Sequence, residues 1–298
     1  MRRRRRRRLQ SMAVLPTMFT LGNLVCGFAA IHYTSQSLDE QMPWGWSTIT
    51  FAGVLIFLGM FFDAIDGSVA RLTGAASEFG AQLDSLADIV TFGVAPAYLV
   101  LRIVSAYLQV DADSSATLDQ FAVSGAVIGP HVDDTFAKFV WAVAIGYVCC
   151  AALRLARFNV ESKSLNVADH MVFRGLPSPG AAGALASLIM LHQHWLYERY
   201  QQDAPAMFDR VSALGMTFVM LLCAVGMVSS IPYIHLFNRY LRRKASFGYV
   251  VRILVVIVCA MFLFQETLAV AFTAYALHGP MRIVLQKFRA YRQPSAAS

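Results

Sequence analysis

Residues 63–88 read DAIDGSVARLTGAASEFGAQLDSLAD, which places Asp63, Asp66, Asp84 and Asp88 inside a strongly apolar neighbourhood. The flanking sequence decides what kind of fold can hold them. The 298-residue chain is 57% hydrophobic and 14% charged with mean hydropathy +0.53, too apolar and too charge-poor for an ordinary soluble domain. Crossing a hydrocarbon core takes roughly 20 helical residues. Apolar stretches of that order recur at 14–33, 49–69, 86–108, 139–158, 181–196, 211–236, 247–264 and 268–285. They lack period-two alternation and are about twice as long as a transmembrane barrel strand. The reading is therefore an all-α integral membrane protein of about eight spans. Only Gln265, Glu266 and Thr267 separate the last two runs, which fit a tight helical hairpin or one interrupted segment.

The distribution of Lys and Arg is an independent guide to topology. With the start taken as cytoplasmic, one side collects residues 2–8, Arg71, Arg154, Arg157, Lys163, Arg174, Arg239, Arg242, Arg243, Lys244, Lys287, Arg289 and Arg292. The opposite loops carry Asp39, Glu40, Asp111, Asp113, Asp119, Asp133, Asp134, Asp203 and Asp209. An even number of spans with both termini cytoplasmic follows. The same bias accounts for the net charge of +7 with no nucleic acid as partner, and the MRRRRRRR start reads as a topology anchor or a contact for anionic membrane lipid. The first apolar run is longer than a leader's apolar region and carries Thr17, Thr20 and Asn23, so it is read as a retained span. Cys26, Cys149, Cys150, Cys223 and Cys259 all fall inside apolar runs, and their spacing suggests neither a disulfide framework nor a zinc site. His192 and His194 form an H-x-H pair near the outer end of the fifth run, far from the aspartates, and are read as interfacial.

On a helix, Asp63, Asp66 and Ala70 share one face at i, i+3, i+7, and Gly80, Asp84 and Asp88 share another at i, i+4, i+8. The stretch 71–79 between them is short and contains Gly74 and Ser77, so the chain reverses and two antiparallel helices bring four carboxylates together. Such a cluster is costly in a membrane unless neutralised. Two divalent cations balance four carboxylates, whose oxygens suit hard ions such as Mg²⁺ and Mn²⁺, and paired metals serve phosphoryl chemistry. Gly67, Ala70 and Gly80 keep the helix surfaces bare enough for a ligand, or for helix packing, and Arg71 is a phosphate partner or a topology anchor. A cation transporter accounts for the carboxylates as well, but leaves the glycines and Arg71 unexplained.

Written as spacings the stretch is D-x2-D-G-x2-A-R-x8-G-x3-D-x3-D, filled by Asp63, Asp66, Gly67, Ala70, Arg71, Gly80, Asp84 and Asp88. It resembles the signature of the CDP-alcohol phosphatidyltransferase family, membrane enzymes that displace CMP from a CDP-linked lipid or alcohol. The resemblance implies a six-helix transmembrane catalytic core, here 14–236, after a basic tail at 1–13 and before a C-terminal helix pair at 237–286 and a cytoplasmic tail at 287–298. It implies an active site near the cytoplasmic face with two metal ions on Asp63, Asp66, Asp84 and Asp88, the last also the general base for the acceptor hydroxyl. Gly67, Ala70, Arg71 and Gly80 would contact the CDP moiety. Thr17, Thr20 and Asn23 form a polar stripe on the first span; a similar element in the family lines the nucleotide pocket, making Thr20 and Asn23 candidates there, with helix–helix hydrogen bonding as the alternative. A homodimer is also implied.

Three further segments, PTMFTLGNLVCGF, RLARFNV at 154–160 and GLPSPGAAG at 175–183, resemble the phosphatidylserine synthase branch of the family. The implied substrates are CDP-diacylglycerol and L-serine. A serine pocket needs a cation, hydrogen-bond acceptors and small side chains. Arg154 and Arg157, at i, i+3, with Asn159 and Ser178, can supply one, although both arginines also fit as inner-leaflet anchors. Glycerol 3-phosphate, inositol phosphate and choline remain rival acceptors for the same core.

Overall fold

The computed structural model of the chain describes residues 2–36, 42, 45–73, 77–112, 135–164, 175–199, 206–231, 233 and 262–292. Among them regular structure is helical: α1 (Arg2–Thr34), α2 (Thr48–Thr73), α3 (Glu78–Asp88), a π-helical turn (Ile89–Val94), α4 (Ala95–Ala112), α5 (Thr135–Ser164), α6 (Ser178–Arg199), α7 (Ala206–Val228) and α8 (Phe264–Arg292). Among the described residues five segments are long and apolar enough to cross a membrane: Leu15–Thr34, Thr48–Thr73, Glu78–Ala106, Thr135–Val160 and Val211–Val228. The third runs through α3, the π turn and α4 without a break. This is the composition of a multi-pass membrane protein.

Among the described residues five of the eight expected runs meet that measure, and the runs differ from expectation in ways that vary from helix to helix. At the fifth run α6 forms, but it is rich in Gly, Ala and Ser and carries His192, Gln193 and His194. Ala181, Ala182, Ala184, Leu185, Ala186, Ser187, Ile189 and Met190 on it are all buried, so protein rather than lipid surrounds most of it and high apolarity is not demanded. The sixth run was expected to reach residue 236, yet α7 stops at Val228 and the chain turns back, Ile231 accepting from the Gly175 N–H at 2.9 Å. The seventh run lies almost wholly outside the described residues, as do Arg174, Arg239, Arg242, Arg243, Lys244 and Cys259. The eighth becomes α8, interrupted in composition by Glu266, His278, Pro280 and Arg282. His192 is buried, its ring stacked on Phe208 at 5.2 Å, while His194 lies 3.5 Å from Glu266 and ties α6 to α8.

Packing follows the faces. On α1, Leu15, Met18, Leu21, Val25 and Phe28 are exposed at intervals of three and four, a lipid-facing stripe, while Thr20, Asn23, Cys26 and Ala30 point inward. That inner face runs along α2 and meets α3 and the π turn. Helices α4, α5 and α7 pack on one another, α6 crosses α2, and α8 lies along α6. Small residues make these approaches possible. A Cβ on Gly27 of α1 would fall 2.3 Å from Thr91 Oγ1 and 2.8 Å from Thr91 Cα, and one on Gly59 of α2 would fall 2.6 Å from Thr91 Cγ2. The π turn is thus wedged between α1 and α2. Gly175, at φ +93°, admits the backbone of α7: a Cβ there would meet Met227 O at 2.4 Å.

Candidate active site

Helix α2 ends with Asp63 and Asp66 on its inner face, and α3 follows Ser77, whose hydroxyl caps the helix by accepting from the Gly80 N–H at 3.0 Å. The connecting segment is shorter than expected, since α2 continues to Thr73 and α3 starts at Glu78. Helix α3 then lies against α1, and its Asp84 meets the end of α2. Carboxylate oxygens of Asp63, Asp66 and Asp84 come within 4.8 Å of one another. Among the described residues Asp84 Oδ1 is buried with no hydrogen-bond partner, an acceptor with nothing to accept from. Three convergent carboxylates and an orphaned buried oxygen suit a hard divalent cation. This group can hold a metal.

Asp88 lies one turn further along, buried, with the negative charges of Asp63, Asp84 and Asp66 bearing on it. It is outside the group of three. Its Oδ1 accepts from Asn23 Nδ2 at 3.0 Å. Asn23, itself fully buried, is held by its backbone, whose carbonyl accepts from Thr91 Oγ1 at 2.9 Å. Thr20 Oγ1 lies 2.8 Å from Asp66 Oδ2 and 3.2 Å from Pro16 O. A hydroxyl has one proton, and an ionised carboxylate takes it in preference to a carbonyl. The polar stripe of α1 therefore meets the aspartates directly, Thr20 on Asp66 and Asn23 on Asp88.

A cleft of about 150 Å³ opens beside the cluster. Helix α1 lines it with Pro16, Thr17 and Thr20, α2 with Asp66, Gly67 and Ala70, and α3 with Gly80, Ala81 and Asp84, next to Ser77. Four of the six expected CDP contacts, Thr20, Gly67, Ala70 and Gly80, are brought together there. Asn23 is buried behind this lining. Arg71 is exposed and folds back along α2, its Nη2 3.4 Å from Ser68 Oγ and its Nη1 3.6 Å from where a Gly67 Cβ would stand. The guanidinium thus lies beside Gly67, which lines the cleft.

On the far side of the cluster, Arg154 Nη1 donates to Ser178 Oγ at 2.7 Å, and its guanidinium is close enough to Asp88 and Asp63 to interact with both charges. Two expected acceptor residues from different helices thus meet beside the aspartates. Asn159 Nδ2 donates to Ser85 Oγ at 2.8 Å, joining α5 to α3, and Arg157 is half-buried one turn beyond Arg154. Several supporting residues escape a reading of the sequence. Thr91 and Tyr147 stand out: the Tyr147 hydroxyl donates to Phe92 O at 3.0 Å, a carbonyl in the π turn, where the widened backbone leaves carbonyls out of the α-helical ladder. A threonine three residues after Asp88 in an apolar run was the only clue to the first.

The family model of the CDP-alcohol phosphatidyltransferases matches residues 13–228. The chain belongs to that family. Among its relatives, the CDP-diacylglycerol–serine O-phosphatidyltransferase of Helicobacter pylori is 27% identical over 276 residues, covering 92% of this chain and 92% of the relative. The enzyme of the same name in Bacillus subtilis is 34% identical over 177 residues, 59% of this chain and 76% of the relative. An archaetidylserine synthase of Methanothermobacter thermautotrophicus is 29% identical over 229 residues, covering 76% and 72%. The matched family region holds the aspartates, α1 from residue 13 onward and the Arg154–Ser178 pair, and stops where α7 stops.

Proposed function

We propose that this chain is a phosphatidylserine synthase, transferring the phosphatidyl group of CDP-diacylglycerol to the hydroxyl of L-serine with release of CMP. The observation that carries the chemistry is the convergence of Asp63, Asp66 and Asp84 at a cleft walled by Gly67, Ala70 and Gly80. Serine as acceptor is supported by the names of relatives that span most of the chain and by the Arg154–Ser178 pair beside the cluster. The residues present fit Mg²⁺ or Mn²⁺, as two ions on Asp63, Asp66, Asp84 and Asp88. When bound, such ions neutralise pyrophosphate charge and make CMP a better leaving group.

The remaining work falls to the side chains. Thr20 holds Asp66 at the cleft, and Asn23 fixes the Asp88 carboxylate behind it. Gly67, Ala70 and Gly80 admit the cytidine diphosphate group against the helices, with Arg71 at the rim on its phosphates. Asp88 accepts the serine hydroxyl proton as the oxygen attacks the phosphorus, and the bond to CMP breaks. Arg154, with Arg157, Asn159 and Ser178, binds the serine carboxylate and orients the hydroxyl, converting a bimolecular encounter into a positioned one. The catalytic unit is the six-helix stretch 14–236, with the site and both termini on the cytoplasmic side, the surrounding lipid supplying the donor, and the enzyme acting as a homodimer.

Membranes holding this chain, supplied with CDP-diacylglycerol and each of L-serine, glycerol 3-phosphate, inositol phosphate and choline, test the reading. Serine-dependent CMP release with phosphatidylserine as product is expected. Product with another alcohol and none with serine removes the acceptor assignment; ion uptake without CMP release favours a transporter.

A further inference from the structure

Asn23 is gripped at both its side chain and its backbone by residues one turn apart. Its Nδ2 donates to Asp88 Oδ1 at 3.0 Å, and its carbonyl accepts from Thr91 Oγ1 at 2.9 Å, so Asp88, Asn23 and Thr91 close a hydrogen-bonded ring across α1 and the start of the π turn. The other end of the amide has no such partner: among the described residues Asn23 Oδ1 is buried without a hydrogen bond. An unsatisfied buried acceptor is destabilising, so the amide is held in this orientation by its surroundings and at a cost to the fold. Gly59 of α2 receives both members of the pair. A Cβ there would fall 2.6 Å from Thr91 Cγ2 and 2.9 Å from Asn23 Oδ1.

The segment that presents Thr91 is itself unusual. Asp88 is the residue at which the π turn begins, and at its end the Ala95 N–H bonds to Val90 O, five residues back. Such turns are rare inside α-helices and occur mostly at functional sites. The next carbonyl after Thr91, that of Phe92, accepts from the Tyr147 hydroxyl at 3.0 Å, and Tyr147 and Thr91 are both fully buried. The turn is therefore held from α1 through Thr91 and from α5 through Tyr147. We infer that Thr91 is a positioning residue for Asp88, acting through Asn23, and that Tyr147 keeps the π turn in the register Thr91 needs. This inference rests on the reading of Asp88 as the group that takes the acceptor proton. A packing role for Thr91 makes its methyl matter; a positioning role makes its hydroxyl matter.

The test is initial-rate CMP release by the full chain in mixed micelles, varying L-serine and CDP-diacylglycerol separately, with a thermal midpoint for every variant. Thr91→Val keeps the shape and removes the donor: kcat is expected to fall about 3- to 10-fold, the size of one net hydrogen bond, with both KM values within about twofold. Its midpoint should move little, because a mid-helix carbonyl keeps its own ladder partner. Thr91→Ser reverses the pattern, recovering kcat relative to Thr91→Val while the midpoint drops for want of the methyl on Gly59. Tyr147→Phe should lower kcat in the same direction, and Thr91→Val with Tyr147→Phe should be no slower than Thr91→Val alone. In an Asn23→Ala background neither change should lower kcat further, because the amide they position is gone. A kcat within twofold of wild type in Thr91→Val, a Thr91→Ser enzyme as slow as Thr91→Val, or an effect that persists in the Asn23→Ala background overturns the inference. If Thr91→Val does not fold, Tyr147→Phe in the wild-type and Asn23→Ala backgrounds decides by the same criteria. Normal turnover by Asp88→Asn overturns the reading of Asp88 and this inference together; normal turnover by Thr91→Val beside an inactive Asp88→Asn overturns this inference alone.

Discussion

Asn23→Ala separates the role of the α1 polar stripe from that of a helix contact. The change removes the amide that donates to Asp88 Oδ1 at 3.0 Å, and leaves the backbone bond from Thr91 to Asn23 O in place. Helix α1 keeps its anchor while Asp88 loses a donor. The orientation of that amide is forced, since a flipped Asn23 would aim its own oxygen at a carboxylate. A hydrogen bond to a charged group contributes about 1.5–3 kcal/mol. If Asp88 must hold one rotamer to take the acceptor proton, that energy enters the barrier, and kcat falls about 10- to 150-fold. KM for CDP-diacylglycerol should change little, because Asn23 sits behind the cleft lining. Asn23→Asp should be worse, adding a carboxylate to a site where the charges of Asp63, Asp84 and Asp66 already bear on Asp88. The assay is CMP release by detergent-solubilised protein, with thermal unfolding to confirm that each variant is folded. A folded Asn23→Ala protein with kcat within twofold of wild type refutes the reasoning.

Other outcomes follow from the same geometry. Asp84→Asn and Asp88→Asn should each abolish CMP release while the protein stays folded and membrane-inserted; near-normal turnover in both would falsify the two-metal proposal. Chelation with EDTA should stop CMP release, and Mg²⁺ or Mn²⁺ should restore it; activity that persists after exhaustive chelation argues against a metal on Asp63, Asp66 and Asp84. Gly27→Ala sets a methyl 2.8 Å from the Thr91 backbone, which cannot swing aside, so it should destabilise by about 1–3 kcal/mol or more and lower the thermal midpoint.

Much of the site was legible because helical periodicity is local. Asp63 with Asp66, and Gly80 with Asp84 and Asp88, share faces whatever the rest of the chain does, and a short reversal forces those faces together. The polar stripe Thr17, Thr20, Asn23 was legible as a stripe. Its partners were not, since the donors that meet Asp66 and Asp88 are 46 and 65 residues away in sequence. The π turn was hidden too: IVTFGV has no helix breaker beyond Gly93, and its widened geometry depends on Thr91 and Phe92 finding partners on α1 and α5.

Composition alone determined that this chain is helical and membrane-embedded, and spacing alone determined that its aspartates gather on two facing helices, because transfer into lipid and helical pitch are properties of short segments. Tertiary structure decided which apolar runs meet lipid, since α6 is shielded by protein and can carry Gly, Ser and His where an exposed span could not. It also decided what surrounds the carboxylates. Asn23, Thr91, Arg154 and Ser178 come from four helical segments, and the close approach permitted by Gly27, Gly59 and Gly175 helps to bring them around one site.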